Sequence, residues 1–353
     1  MSEIKPIYVV TGANGYIASA LVRRLVDAGA HVRATVRRAQ AGESLRSSLT
    51  AEAKGYLEIR LVQDITAEKA FRDALQGATH VFHMASPLPA VGKTDVKRDF
   101  LDPALSGTLT LLQDAHSTPT VQKIVLTSSV ASILSLTRAN TGATFTEADW
   151  NPITYNEAAS LGEKLSTTDK EGYIKVAMTI YAASKKLAEE AAWKFVEDKK
   201  PHFKLTTVNP ALVIGRPTMG QGLSGTNGSF WQLLNGRPLQ PDNTLAGYVD
   251  LEDVVEGHVR AMQREEADGK RFLLVGAQSS NWQLVNWAKE HRGEVPFDKV
   301  EKPEDAEAIQ KRVTRYDTTA SKEILGLTYK EPKQMVTDFI DWVLEAKLAE
   351  SRK

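Results

Sequence analysis

The chain has 353 residues, with 44 Lys+Arg balanced by 44 Asp+Glu, 42% hydrophobic residues and no cysteine. That profile belongs to a globular protein long enough to bury a deep core, and it excludes disorder, collagen and coiled coil. A formal charge of zero gives polyanions no general attraction, so nucleic acid and anionic membrane are not expected partners, and the absence of Cys removes disulfides and thiolate metal sites. At the start, Ile4 to Val10 is a short apolar run containing Pro6 and followed at once by Thr11-Gly12, which predicts no leader segment. Nothing approaches the roughly 18 apolar residues of a membrane span, so a cytoplasmic protein is expected.

Ile7-Tyr8-Val9-Val10 reads as the first strand. Directly after it, Thr11-Gly12-Ala13-Asn14-Gly15-Tyr16-Ile17-Ala18 leads into a helix whose face holds Ile17, Leu21, Val22 and Leu25. That place between strand and helix gives the turn meaning. Gly12 permits the tight turn, Gly15 lets backbone approach a pyrophosphate, and Ala18 keeps the helix close to the sheet. The pyrophosphate then rests on free N–H groups at a helix N-terminus. A generic strand-to-helix turn is the plainer reading, and the surrounding pattern outweighs it. The second strand, Val32 to Val36, ends in Arg37-Arg38, with no carboxylate until Glu43. An NAD enzyme presents Asp or Glu about 20 residues beyond the glycines to hold the ribose 2′-hydroxyl. A guanidinium instead binds a 2′-phosphate through charge-assisted pairs worth about 1.5–3 kcal/mol. NADP(H) is therefore the expected cofactor, with Arg37 as phosphate ligand; Arg38 alone reads as solvated, and Arg46 is a weaker candidate.

Strands follow at Leu57 to Val62, His80 to Met84 and Lys123 to Thr127, with a helix between whose face carries Leu101, Leu105, Leu109 and Leu112. Alternating strand and helix predicts a parallel sheet covered on both faces. His80 and His83, three apart on a strand, point to opposite faces, and no metal is expected. Gly92-Lys93-Thr94 ends like a phosphate-binding P-loop, but Pro87 stands where its leading glycine belongs. Thr127-Ser128-Ser129 ends the fifth strand. Ligands of an open parallel sheet bind outside the carboxyl ends of the strands, so a hydroxyl here faces the crevice of the glycine turn and can bond a substrate carbonyl. Tyr181-Ala182-Ala183-Ser184-Lys185 is expected to open a helix running to about Glu197, with Tyr181 and Lys185 one turn apart on one face. Lys185 shares that face with Ala188, Ala192 and Phe195, while Lys186, Glu190, Lys194 and Glu197 gather opposite. A snorkelling lysine is the bland alternative. Tyr329 and Lys333 repeat the spacing, but Pro332 lies between them and their side chains need not share a face. From Pro210 to Tyr248 the glycines and prolines predict loop and short elements, a substrate lid rather than a linker. Asn227-Gly228-Ser229 matches a glycosylation pattern without meaning for a cytosolic chain. The chain returns to the sheet near Phe272 to Val275 and ends in an amphipathic helix from about Gln334 to Leu348.

Taken together, Thr11 to Ala18, Asp64-Ile65, Thr127-Ser128-Ser129, Tyr181 with Lys185, Asn209-Pro210 and Tyr248 to Val254 resemble the extended short-chain dehydrogenases/reductases, in the family's order. His83-Met84-Ala85-Ser86-Pro87 and Ala191-Ala192-Trp193-Lys194-Phe195 are similar to its dihydroflavonol reductase branch, especially fungal aldehyde and ketone reductases of the methylglyoxal reductase type. The resemblance implies an α/β fold: a Rossmann doubly wound parallel sheet with a smaller C-terminal substrate-binding lobe. It implies an NADPH-dependent reductase of small aldehydes and ketones, monomer or homodimer. The expected layout is an NADP-binding domain at 1–210, rejoined by about 246–275, a lobe at 211–245 and 276–330, and a C-terminal helix at 331–353. Tyr181 is implied as general acid, Lys185 as ligand of the nicotinamide ribose, and Ser129 as the carbonyl-positioning hydroxyl, with Ser128 the fallback. Thr11, Gly12, Asn14, Gly15, Tyr16 and Ile17 are implied around the pyrophosphate, Asp64 and Ile65 at the adenine, Ala85 and Ser86 on the ribose side. Thr127, Pro210, Leu212 and Val213 are implied near the nicotinamide. Ala18 replaces the last glycine of the family pattern, and a long insertion around Ala158 to Lys175 separates Ser129 from Tyr181. Two rivals are a nucleotide-sugar epimerase or dehydratase, against which Arg37 argues, and a non-catalytic NADP sensor, against which Tyr181 and Lys185 argue.

Overall fold

Strands that are apolar on both faces can sit only where helices cover both sides of a sheet. The chain forms β1 (Ile7–Val10), β2 (His31–Val36), β3 (Leu57–Leu61), β4 (His80–His83), β5 (Lys123–Thr127), β6 (Thr144–Phe145), β7 (Lys204–Pro210), β8 (Leu212–Ile214), β9 (Tyr248–Asp250), β10 (Arg271–Leu274) and β11 (Arg315–Tyr316). These come from a computed structural model that describes residues 6–86, 94–167, 170–220, 222–235, 247–292 and 302–350. Seven strands pair in parallel in the order β10-β7-β5-β4-β1-β2-β3. The winding reverses between β1 and β4, which opens a crevice beyond their carboxyl ends, the ligand position of a Rossmann fold.

On one face, Leu21, Val22 and Leu25 of the Tyr16–Asp27 helix meet Val254 and Val259 of the Leu251–Gln263 helix over Val10, Ala34, Phe82 and Phe272. The other face buries Val9, Val81 and Ile124 under Leu111 and Ala115 of the Asp102–His116 helix and Ala192 and Phe195 of the Lys170–Lys199 helix. A third core joins Phe230 and Leu234 to Leu284 and Val285 and to Val336, Phe339 and Ile340 of the last helix, Pro332–Glu350. That last helix thus packs with the Gly225–Leu234 and Asn281–His291 helices. Two small parallel pairs, β8 with β9 and β11 with β6, frame this side.

One expectation shifts. The helix carrying Tyr181 begins at Lys170, so Tyr181 sits in its interior, and the presumed insertion holds short helices at Tyr155–Ala159 and Gly162–Thr167. The reason is local: Val176, Ala177 and Ile180 continue the apolar stripe backwards onto Phe100 and Leu101, and no proline intervenes. The stretch after Pro210 contains β8 and a ten-residue helix, Gly225–Leu234, besides loop. Pro332 starts the last helix; Tyr329 bonds Ser321 while Lys333 bonds Glu290, so the two side chains part. The sequence Gly92-Lys93 and residues 236–246 lie outside the described residues.

Candidate active site

Gly12 adopts φ +62°, and a Cβ there would stand 2.9 Å from the Ala85 Cα, so conformation and space both require glycine. Gly15 caps the Tyr16–Asp27 helix with no side-chain bond, and the first turn holds no acidic residue. Its N–H groups and positive end are open to an anion. Thr11 is fully buried instead. Its hydroxyl accepts from the Met84 and Ala85 N–H groups, 3.0 Å each, and gives its proton to His83 Nδ1 at 2.9 Å. Thr11 therefore fastens β1 to β4 and does not line the cleft, because the two strand-end amides need its oxygen. Tyr16 lines the cleft but donates its phenol to the Gly215 carbonyl at 2.8 Å, and Asn227 brackets the same glycine, accepting from its N–H through Oδ1 and donating to its carbonyl through Nδ2. The glycosylation pattern at Asn227 is thus a buried clamp.

The remaining expected residues open on one cleft of about 2390 Å³. Drug-sized ligands occupy roughly 300–1,000 Å³, which leaves room here for a dinucleotide and a second molecule. At one end are Gly12, Asn14, Gly15, Ile17, Arg37, Asp64 and Ile65; Ala85, Ser86 and Thr127 follow; Ser129, Tyr181, Lys185, Pro210, Leu212 and Val213 close the other. Arg37 is exposed at the end of β2. Hydrogen bonds from Thr66, and then the charge of Arg37, hold the Asp64 carboxyl below its usual range. Arg46 is not a phosphate ligand in this arrangement: its guanidinium donates to the Leu57 and Lys54 carbonyls, at 3.1 and 3.5 Å.

At the far end the two serines separate. Ser128 is buried and donates to Glu189, whereas Ser129 accepts from the Ala131 N–H at 3.1 Å and shares a hydrogen bond with Tyr181. Burial pushes the Tyr181 phenol up, opposed by that bond. Lys185, 9% exposed, donates to the Thr127 carbonyl at 3.2 Å. Burial lowers its ammonium to about 8, and Glu189 pulls the other way. Fully buried His83 and His258 are pushed down to about 3 and about 4, first by burial, so both are neutral at pH 7. His258 bonds the Thr127 hydroxyl at 2.8 Å and the Val254 carbonyl. Glu189, Ser132 and Arg271, which the sequence does not single out, interlock with Asn209 behind Ser129. The signal existed for Glu189: it lies four residues after Lys185, on the face that turns Lys185 inward.

A Rossmann sheet with this glycine turn at its switch point and Ser129, Tyr181 and Lys185 above it defines an extended short-chain dehydrogenase/reductase. The chain belongs to the NAD dependent epimerase/dehydratase family, matched over residues 8–276. It is 31% identical to a putative NADPH-dependent methylglyoxal reductase of Candida albicans, over 98% of this chain and 100% of that one. A ketoreductase of Aspergillus niger is also 31% identical, over 98% of this chain and 99% of its own. The crystal structure of Gre2 with NADPH from Candida albicans superposes with a TM-score of 0.83 at 29% identity, covering 97% of this chain and 99% of that one.

Proposed function

We propose that the protein is an NADPH-dependent reductase that converts the carbonyls of aldehydes and ketones to alcohols, reversibly, with Tyr181 as general acid. The observation that carries this reading is the meeting of the Ser129 and Tyr181 hydroxyls on the cleft that begins at the Gly12–Gly15 turn, with buried Lys185 one turn along. The cradle suits a dinucleotide: a glycine whose Cβ would strike Ala85, an uncapped helix end for the pyrophosphate, and Arg37 for a 2′-phosphate. Asp64 and Ile65 flank the adenine, Ala85 and Ser86 the ribose side. Thr127, Pro210, Leu212 and Val213 lie by the nicotinamide, and Lys185 holds its ribose.

NADPH supplies the hydride when bound. The chain's part is to hold the carbonyl oxygen with Ser129 and protonate it from Tyr181. Burial keeps the phenol protonated at neutral pH, so the proton is available. An ordinary phenol near pKa 10 lies about three units above pH 7, a gap of roughly 4 kcal/mol for leaving phenolate. The Lys185 ammonium favours that anion. The substrate meets Val130, Met178, Ala211, Phe230 and Tyr248, a largely apolar lining that suits small uncharged carbonyl compounds. We read 1–210 with about 246–275 as the NADP-binding domain, 211–245 and 276–330 as the substrate lobe, and 331–353 as its closing helix. The cysteine-free composition suits a reducing compartment, and we place the protein in the cytoplasm as a monomer or homodimer.

The test is NADPH consumption, followed by absorbance, over aldehydes, diketones, aryl ketones and a dihydroflavonol, with Tyr181→Phe alongside. Turnover by the natural protein and its loss, by about a hundredfold or more, in Tyr181→Phe is expected, with NADPH binding retained. Full turnover in Tyr181→Phe would remove Tyr181 from the chemistry.

A further inference from the structure

Glu189 is 1% exposed, one turn beyond Lys185 on the same helix. Oε2 accepts from Ser128 Oγ at 2.5 Å, Ser132 Oγ at 2.6 Å and Asn209 Nδ2 at 2.8 Å. Oε1 accepts from Arg271 Nε at 2.7 Å and Thr207 Oγ1 at 2.9 Å. Burial alone would raise this carboxyl, but Arg271 and the hydroxyl donors hold it below its usual range, so it is an anion. Arg271 is itself fixed on the Glu147 and Asp149 carbonyls and over the Trp150 ring. Arg271 fills only one of the acceptor positions of this buried carboxylate, and the hydroxyl and amide donors satisfy the others.

Those partners converge on one residue of the cleft. Ser128 precedes Ser129; Ser132 donates to the Ser129 carbonyl at 2.8 Å, sharing its single proton with Glu189; Asn209 Nδ2 reaches the same carbonyl at 3.3 Å. The Ser129 peptide is gripped from behind while its hydroxyl meets Tyr181. The carboxylate is also the negative charge acting on Lys185, and after burial the charge of Lys185 helps to hold His83 of β4 neutral. Around Lys185 stand Tyr181 and Glu189 on its own helix, His83 on β4, and Thr127, whose hydroxyl His258 bonds. Glu189 faces Arg271 on β10, behind which lies Glu147.

We propose that Glu189 is a positioning residue: it sets Ser129 against Tyr181 through Ser128, Ser132 and Asn209, and it places a negative charge one turn from Lys185. This rests on the reductase reading for its kinetic consequence, but not for its charge. In Glu189→Gln, kcat should fall about 10- to 100-fold, with the KM for the carbonyl substrate and the fluorescence-measured Kd for NADPH little changed. Its alkaline limb of kcat/KM should move down by about one pH unit or more. Ser132→Ala, which leaves Glu189 and Arg271 paired, should lose kcat without moving that limb. Glu189→Asp, which keeps the charge on a shorter stem, should restore the limb but not kcat.

A readout free of turnover is the Lys185 titration by NMR of 13C-labelled lysine, assigned with Lys185→Arg, expected to fall in Glu189→Gln. If the natural protein reduces no carbonyl compound, the reductase reading fails, and this titration still decides the placement of charge. A folded Glu189→Gln with unchanged kcat, limb and titration overturns the proposal. Should Glu189→Gln fail to fold, Ser132→Ala and Glu189→Asp carry the test, and unchanged kcat in both overturns it.

Discussion

In the proposed reading Arg37 occupies the position where selectivity between the two nicotinamide dinucleotides is decided. It is exposed at the end of β2 and opens on the cleft, and Asp64, a carboxyl its charge influences, is engaged by the Thr66 N–H and hydroxyl at 2.9 and 2.7 Å. Arg37→Glu should raise the KM for NADPH about 10- to 100-fold, the range of one charge-assisted pair, and leave NADH use unchanged or improved. Steady-state kinetics with both cofactors settle it; equal losses with NADPH and NADH would take the 2′-phosphate away from Arg37. At this scale the sequence was readable wherever residue type and placement imposed one role, as at Gly12. It was ambiguous where two neighbours of one type stood together. Ser128 and Ser129 alternate across the end of β5, and only the position of Glu189 decides which hydroxyl is taken from the cleft. The orientation of Thr11 is hidden for a related reason: the amides of Met84 and Ala85, 73 and 74 residues away, donate to its hydroxyl and turn it inward.

Elements are legible where the hydrophobic period is continuous: six strands of the main sheet and the final helix lie within a few residues of their expected ends, whereas β7, between β5 and β10, is not among the expected strands. The Lys170–Lys199 helix was read short because Tyr181 was taken as its beginning, although apolar spacing continues to Tyr173. What sequence could not supply is how elements lock to one another. Asn227, in the first turns of the Gly225–Leu234 helix, satisfies both the N–H and the carbonyl of Gly215, and Tyr16 donates to that same carbonyl from the glycine-turn helix. This ties the substrate side of the cleft to the cofactor side through one residue, Gly215. Asn227→Ala leaves buried polar groups short of partners and should lower the unfolding free energy by about 1–3 kcal/mol in urea titrations. Ser229→Ala, on an exposed hydroxyl two residues away, should change it little. Equal effects of the two variants would show that the Gly215 clamp contributes nothing beyond generic helix stability.

For the whole molecule, the parallel sheet and the cleft at its switch point follow from strand-helix alternation, because helices on both faces leave the chain few topologies. The protonation balance of the folded state does not follow from sequence, since seven histidines look alike until burial separates them. His83 and His258 are neutral in the folded protein, with values near 3 and 4, against about 6.5 in an unfolded chain. The depressed values mean that the unfolded state binds protons the folded state refuses. Their stabilisation is therefore complete above about pH 6.5 and is lost as pH falls toward 4. Asp253, raised to about 6 by burial and then by Asp250, works in the opposite sense over the lower part of that window and offsets about one of the two histidines. These three groups together leave roughly one net proton taken up on unfolding near pH 5, a slope of about 1.4 kcal/mol per pH unit. Urea unfolding at several values between about pH 4.5 and 5.5 measures it. His258→Asn, which can still donate to the Val254 carbonyl, should flatten the slope by about one proton, and Asp253→Asn should steepen it by about the same amount. A slope unmoved by His258→Asn would mean that this imidazole is charged in the folded state, and the hydrogen bond that the Thr127 hydroxyl gives it at the mouth of the cleft would have to be redrawn.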